Sequence, residues 1–390
     1  MLLYKRFQLA ILFAILSLTP AWAIRIISGP YLQNVGEDQV TIMWRTDTDA
    51  TAWVEIAPDD KLNFYAEQRP RYYATDLGRA VIGKVHKVTV SGLNPGTTYR
   101  YRVFSEEVLD QKAKHVRYGE TASTNVFKKA PLTFRTRSSE SPTLDFVMVN
   151  DIHGDNELLT DLTAGVEKGK TDFVLFNGDM VSFMNSEDQV FEGFIDTASK
   201  LFASETPFYM SRGNHETRGF AAKEYMRYFP TPTGRPYYTF RSGPVCFVVL
   251  DGGEDKPDND IEYSRTSFFD DYRREEADWL RGVTQSEEFR NAPFRIVVIH
   301  VPPVNSTWHG PLHTKELFLP ILNNAGIDMM ICGHLHRHFY NEAGSYGANF
   351  PILINANTEA ANFHADNDTL TFTVTDRQGK PRLTKSYPRK

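Results

Sequence analysis

The sequence predicts an N-terminal β-sandwich followed by a four-layer α/β/β/α domain, on three observations. From Arg25 to about Arg137, short alternating apolar segments are separated by turn clusters, and no helix-length period interrupts them. Beyond residue 143 the order becomes strand, chemically active residue, then helix, and it recurs. Later β-branched runs supply enough further strands for two sheets facing each other with helices outside.

The chain opens with Lys5 and Arg6 before an apolar run from Leu9 to Leu18, and Ala21-Trp22-Ala23 ends it with small residues where a signal peptidase reads. Residues 1–23 are therefore expected to be a secretory signal and the protein to be exported, to a periplasm or beyond the cell. The run is too short to span a bilayer, which takes roughly 20 residues. No comparable stretch follows, so no stable membrane insertion is expected. About 367 residues remain, more than a single core of ordinary size organises, which favours two domains, 24–137 and 143–390.

In the first domain, Val40-Thr41-Ile42-Met43-Trp44 alternates toward a large aromatic that would fill a sandwich core. A strand over 85–90 precedes the turn cluster Gly92-Leu93-Asn94-Pro95-Gly96, and the strand starting at Thr98 resumes the alternation. Tyr99, just after that turn, resembles the tyrosine corner of a fibronectin type III domain, whose hydroxyl ties loop to strand. A closing strand over 132–136 leads to the linker-like Ser138-Ser139-Glu140-Ser141-Pro142. No chemistry is evident here, and the domain is expected to position or cover the rim of the second.

In the second domain, strands at 146–149, 173–176 and 208–211 each run into a polar motif, with helices expected over 157–167 and 188–201 after the first two. Strands at 295–299 and 328–332 deliver further histidines, and amphipathic helices are expected over 274–280 and 315–322. Strands at 238–241, 245–250, 369–374 and 383–387 complete the sheets.

Net charge is -6 and Lys and Arg form no sustained stripe, so binding of a nucleic acid duplex through its phosphates is disfavoured. The 2 cysteines, Cys246 and Cys332, sit in apolar runs and read as buried thiols, although their number leaves a disulfide open.

The chemistry is concentrated in five short segments: Asp151-Ile152-His153, Gly178-Asp179, Gly213-Asn214-His215-Glu216, His300, and Gly333-His334-Leu335-His336. They put hard oxygen and imidazole ligands mostly at the carboxyl ends of strands, where loops converge, as a two-metal hydrolase requires. Singly, His300 reads equally well as a core histidine and Asp179 as a helix cap.

From about Ile24 to the end, the sequence resembles the purple acid phosphatases and their bacterial relatives among the calcineurin-like metallophosphoesterases. The ordered motifs carry the resemblance, with Gly29-Pro30-Tyr31-Leu32-Gln33 at the opening and the fibronectin-like first domain. The resemblance implies that Asp151, His153, Asp179 and His336 hold one metal, and Asp179, Asn214, His300 and His334 the other, with Asp179 bridging. Purple acid phosphatases carry Gly in place of His153 and a ligating Tyr at the position of Ser182. The pair is therefore expected to lack a tyrosinate colour and to be Fe, Mn or Zn, divalent or of mixed valence. A small phosphate ester would be attacked in line by hydroxide held on the metals, with His215 as general acid and Glu216 orienting its ring.

Arg212 is a candidate for phosphate binding or for a salt bridge at the sheet rim. Asn156 would donate to phosphate or cap the helix after it. His309, in a Pro- and Gly-rich segment that also holds His313 and reads as an active-site wall, is the better of the two for touching substrate. The expected function is a secreted phosphomonoesterase. A phosphodiesterase or nucleotidase shares the same centre, and a non-catalytic secreted binding module is the reading without chemistry. Oligomeric state is not legible.

Overall fold

The computed structural model describes residues 23–127 and 129–390, so all but the last residue of the expected signal segment lies outside the described residues. The first sheet has seven strands built around one long strand, Gln39–Pro58. Its first half pairs with Gly83–Ser91 and its second half with Thr98–Lys112, with a register break between Arg45 and Ala50. Changing partners along one strand curls the sheet around its own core, which gives the sandwich-like form expected from the alternation. Trp44 fills that core with no exposed surface, and its indole N–H donates to Ser105 Oγ at 2.8 Å. Asn94 N–H donates to the Tyr99 hydroxyl at 2.9 Å, which ties the turn to the strand as a tyrosine corner does.

Two six-stranded sheets follow. The order in one is Phe208–Ser211, Phe173–Asn177, Thr143–Val149, Glu359–Asp366, Thr369–Asp376 and Pro381–Pro388. In the other it is Tyr238–Ser242, Val245–Val249, Phe294–Val298, Met329–Cys332, Ile352–Ile354 and Phe339–Asn341. The motif-bearing strands pair in parallel, so their carboxyl ends lie along one edge of each sheet. Phe146, Met148, Phe247 and Ile296 point between the sheets, whereas Val147, Val149, Cys246 and Val297 point to the helices outside. Burial on both faces explains why these strands read as continuous apolar runs. Both cysteines are free and buried in one helix-facing core.

The helices are displaced from their expected bounds. The first is Asn156–Leu162, capped by the Asp155 carboxylate, which accepts from Leu158 N–H. The second is a helical run over 187–203 that widens to π geometry at Phe191–Ile195 and Ser199–Ala203. The helix Phe269–Val283 is longer than its charge pattern indicated, and His309–Asn323 starts inside the segment read as an active-site wall. Pro311 hid that start, yet proline is tolerated in a first turn because no intrahelical acceptor awaits its N–H there.

The first sheet does not cover the rim of the metal-type residues. Tyr31 and Met43 join the core formed with Phe191, Phe194 and Phe208. Tyr31 Oη donates to Tyr228 O at 3.1 Å, Gln33 Nε2 to Phe208 O at 3.1 Å, and Tyr209 Oη to Val35 O at 2.8 Å. It therefore buttresses the flank of one catalytic-domain sheet and its helices. Among the described residues, no helix is long and apolar enough to cross a membrane.

Candidate metal centre

Local backbone chemistry builds the site before any metal is considered. Asp151, His153, Asp179, His334 and His336 all have left-handed φ, at 55°, 51°, 54°, 72° and 53°. That conformation costs an L-residue roughly 1–2 kcal/mol, and such strain persists where the surroundings over-determine it, as at functional sites. The glycines beside these ligands are equally constrained. A Cβ on Gly178 would lie 2.4 Å from His300 Nδ1, one on Gly213 would lie 2.1 Å from Asp179 Oδ1, and one on Gly333 would lie 2.9 Å from Asp151 Oδ2. Glycine in each motif is thus what lets a carboxylate or imidazole pass against backbone.

Each aspartate has one oxygen fixed by protein and one turned to a common point. Asp151 Oδ2 accepts from His334 N–H at 2.8 Å and from Asn150 Nδ2 at 2.7 Å. Asp179 Oδ1 accepts from His215 N–H at 2.9 Å. On the other side, Asp151 Oδ1 is 3.1 Å from His336 Nε2 and 3.9 Å from both His153 Nε2 and His300 Nε2. Asp179 Oδ2 is 3.0 Å from His300 Nε2, and His334 Nδ1 is 3.0 Å from Asn214 Oδ1. His153 and His336 bring their Nε2 atoms within 3.2 Å of each other. All seven expected ligands therefore converge, with Asp179 between the two groups.

Asp151 Oδ1 and His300 Nε2 are buried and lack a hydrogen-bond partner despite these close neighbours. Orphaned buried polar atoms are costly and need an account, and a bound cation supplies one. His300 Nδ1–H donates to Asn177 O at 2.7 Å, which leaves Nε2 as the free nitrogen, the usual arrangement of a ligating histidine. Two carboxylates, one amide and four imidazoles form a donor set suited to Fe, Mn or Zn.

Electrostatics agree with that reading. Burial opposes charge on His300, but the Asp179 and Asp151 carboxylates outweigh it and push its pKa up to about 10. Burial would raise Asp179, yet His300 holds it well below the ordinary carboxylate range. Without metal, a proton on His300 thus sits where a cation would neutralise the carboxylates. Burial and the neighbouring His300 push His334 down to about 4, and burial lowers His153, so both are neutral ligands at pH 7.

The expected catalytic pair separates. His215 Nδ1–H donates to Ser182 O at 2.8 Å, leaving Nε2 open 3.9 Å from Asp179 Oδ2. Ser182 O, not Glu216, orients that ring. Glu216 is buried and its carboxylate accepts four backbone N–H groups: Asp179 and Gly213 at 2.8 Å, Met180 at 2.7 Å and Val181 at 3.3 Å. It shapes the backbone carrying Asp179. Burial and the Asp179 charge raise its pKa, while the backbone N–H donors oppose that and favour the carboxylate. Ser182 Oγ is 3.4 Å from His153 Nδ1, so this serine also seats the His153 ring.

The three expected substrate contacts are not brought to the cavity. Arg212 is committed to the buried Asp251, its NH2 donating to Oδ2 at 2.5 Å. Asn156 Nδ2 donates to Glu192 O at 2.8 Å and leaves capping to Asp155. His309 Nε2 is 2.7 Å from Asp270 Oδ1, on a side of its helix turned from the cavity.

The centre lies in a cavity of about 770 Å³ whose wall includes Arg218, Lys256, Trp308, Lys315 and Tyr346. Trp308 belongs to the segment expected as an active-site wall, which does line the cavity through residues 303–308, whereas sequence reasoning missed Arg218, Lys256, Lys315 and Tyr346 because no spacing signal marks them. Arg218 binds Glu254 through two bonds of 2.8 and 2.7 Å, while its third nitrogen is 3.5 Å from His215 Nε2. A fixed guanidinium beside an open imidazole and two metal-type clusters suits recognition of a phosphoryl group.

Comparison with known proteins agrees with this arrangement. A family described as calcineurin-like phosphoesterase matches residues 144–338, and one described as purple acid phosphatase, N-terminal domain, matches residues 28–125. Purple acid phosphatase 22 of Arabidopsis thaliana is 24% identical over 271 residues, covering 66% of this chain and 53% of that protein. Purple acid phosphatase 18 of the same plant is 21% identical over 324 residues, covering 79% and 64%. The chain thus spans between about half and just under two-thirds of these relatives' length. A crystal structure of a protein from Thermus thermophilus aligns with 10% identity and a TM-score of 0.37, covering 64% of this chain and 100% of that one.

Proposed function

As this chain belongs to the calcineurin-like phosphoesterase family, a family of metal-dependent hydrolases, we propose that it is a phosphomonoesterase acting on small phosphate esters after export. The observation that carries the reading is that Asp151 Oδ1 and His300 Nε2, one in each group of ligands, are both buried without a hydrogen-bond partner among donors from five separate loops. Two cations held there would neutralise phosphate oxygens and lower the pKa of water toward neutrality. Asp151, His153, Asp179 and His336 would hold one, and Asp179, Asn214, His300 and His334 the other.

The chain's own groups supply the rest. His215 Nε2, with its other nitrogen committed to Ser182 O, is placed to give a proton to a departing alkoxide. Arg218 NH1 stands beside it and would steady a phosphate oxygen. The monoester reading rests on the likeness to the purple acid phosphatases.

Export rests on residues 1–23, and the metals are proposed as Fe, Mn or Zn. The test compares hydrolysis of an aryl phosphate monoester with the matching bis-aryl diester, using metal-loaded wild type and Asp179→Ala. Preferential monoester turnover that disappears in the variant supports the proposal. Preferential diester turnover would replace it with a phosphodiesterase, and inactivity after reconstitution with each metal would replace it with a binding module.

A further inference from the structure

A second group of metal-type ligands sits between two helices, on residues that do not line the cavity. Asp270 lies in the first turn of Phe269–Val283, and His309 and His313 open the helix His309–Asn323. Asp270 Oδ1 is 2.7 Å from His309 Nε2 and 3.1 Å from His313 Nδ1. Four-residue spacing puts both rings on one helix face, with centroids 5.7 Å apart. All three donor atoms lie within 4.8 Å of one another. None of the three residues lines the cavity, whereas Leu312 and Lys315 of the same helix do.

The informative atom is His313 Nδ1. Its side chain is only 10% exposed, and the nitrogen is buried without a hydrogen-bond partner although a carboxylate oxygen is 3.1 Å away. The distance suits an ion pair, but the alignment is not that of a hydrogen bond. Such a nitrogen is expensive in a protein interior unless something else binds it. His309 and Asp270 are 38% and 30% exposed, so the group opens to solvent on one side.

We propose that Asp270, His309 and His313 form a third metal site, which takes a borderline divalent cation such as zinc and clips the two helices together. Two imidazoles and a carboxylate from rigid elements, with an open side for water, form a familiar three-ligand set for such ions. Burial lowers the pKa of His313, which keeps the ring in its neutral, ligating form. Arg273 opposes the site: its NH1 is 3.0 Å from Asp270 Oδ1, and its Nε is fixed to Gly252 O at 2.8 Å. The fixed guanidinium repels a second cation, so this site fills after the binuclear centre. Bound metal would hold the start of His309–Asn323, and with it the wall at Trp308, against Phe269–Val283.

The test is zinc content after dialysis of the full-length chain against zinc-containing buffer. Wild type should retain about three ions per chain, His309→Ala about two, and Asp179→Ala about one, because the last variant empties the cavity without touching this cluster. His309 is partly exposed, so its replacement leaves the fold intact, while His313→Ala serves as a second variant read the same way. Equal zinc content in wild type, His309→Ala and His313→Ala would overturn the proposal and leave an ion-paired cluster. Failure of the binuclear reading instead would show as unchanged zinc in Asp179→Ala.

Discussion

Glu216→Gln separates a scaffold role for this residue from the orienting role that its position beside His215 suggested. Each Glu216 oxygen accepts two backbone N–H groups, Oε1 from Met180 and Val181 and Oε2 from Asp179 and Gly213. Glutamine keeps the shape but turns one oxygen into an NH₂ group, so two buried N–H groups lose their acceptor and face another donor. At about 1–3 kcal/mol for each unsatisfied buried donor, the loss of stability is roughly 2–6 kcal/mol. Denaturant unfolding of metal-free protein measures it, and metal content should fall in parallel because Asp179 rides on the same backbone. A variant with wild-type stability and full metal content but an altered pH–rate profile would refute the scaffold argument and restore the orienting role.

Other outcomes follow from the same geometry. Gly178→Ala places a Cβ 2.4 Å from His300 Nδ1 and 2.8 Å from Gly213 Cα at a φ of +80°, so metal content should drop sharply while the first sheet remains folded; elemental analysis and circular dichroism check this. His215→Asn should lower turnover by roughly 10²- to 10⁴-fold for alkyl phosphates, and less for aryl phosphates whose leaving groups need no proton, with metal content unchanged. Burial pushes the pKa of His86 down to about 4, and its Nε2 lies 2.8 Å from Thr46 Oγ1. Since the folded value is depressed, its contribution is present above the unfolded pKa and is lost as pH falls through the window from about 6.5 to 4. The full effect is on the order of 3 kcal/mol, and His86→Gln should flatten that part of the stability profile in urea titrations at several pH values.

Much of this architecture was legible because the constraints are local. Short apolar runs such as 146–149 and 173–176 marked the strands, and the order of the motifs placed seven ligands at loops that do converge. Glycines 178, 213 and 333 belong to the same signal, since each precedes one ligand and leaves room for another, His300, Asp179 and Asp151 respectively, where a Cβ would sit. The roles of Arg212, Glu216 and His309 were not legible, because each depends on a partner far off in sequence. Arg212 is 39 residues from Asp251, Glu216 is 37 from Asp179, and His309 is 39 from Asp270. Arg218 and Lys256 carry no periodicity, and only the folded loops turn them to the cavity. The helix start at His309 was obscured by a proline that the first turn accepts.

The most direct measurement of the central claim is an anomalous-scattering map from manganese-soaked crystals of the full-length protein. Two peaks about 3.5–4 Å apart on either side of the Asp179 carboxylate are predicted, one among Asp151, His153 and His336 and the other among Asn214, His300 and His334. A map with no peak at either group of ligands, or with a single ion that leaves one group without metal, would contradict the account.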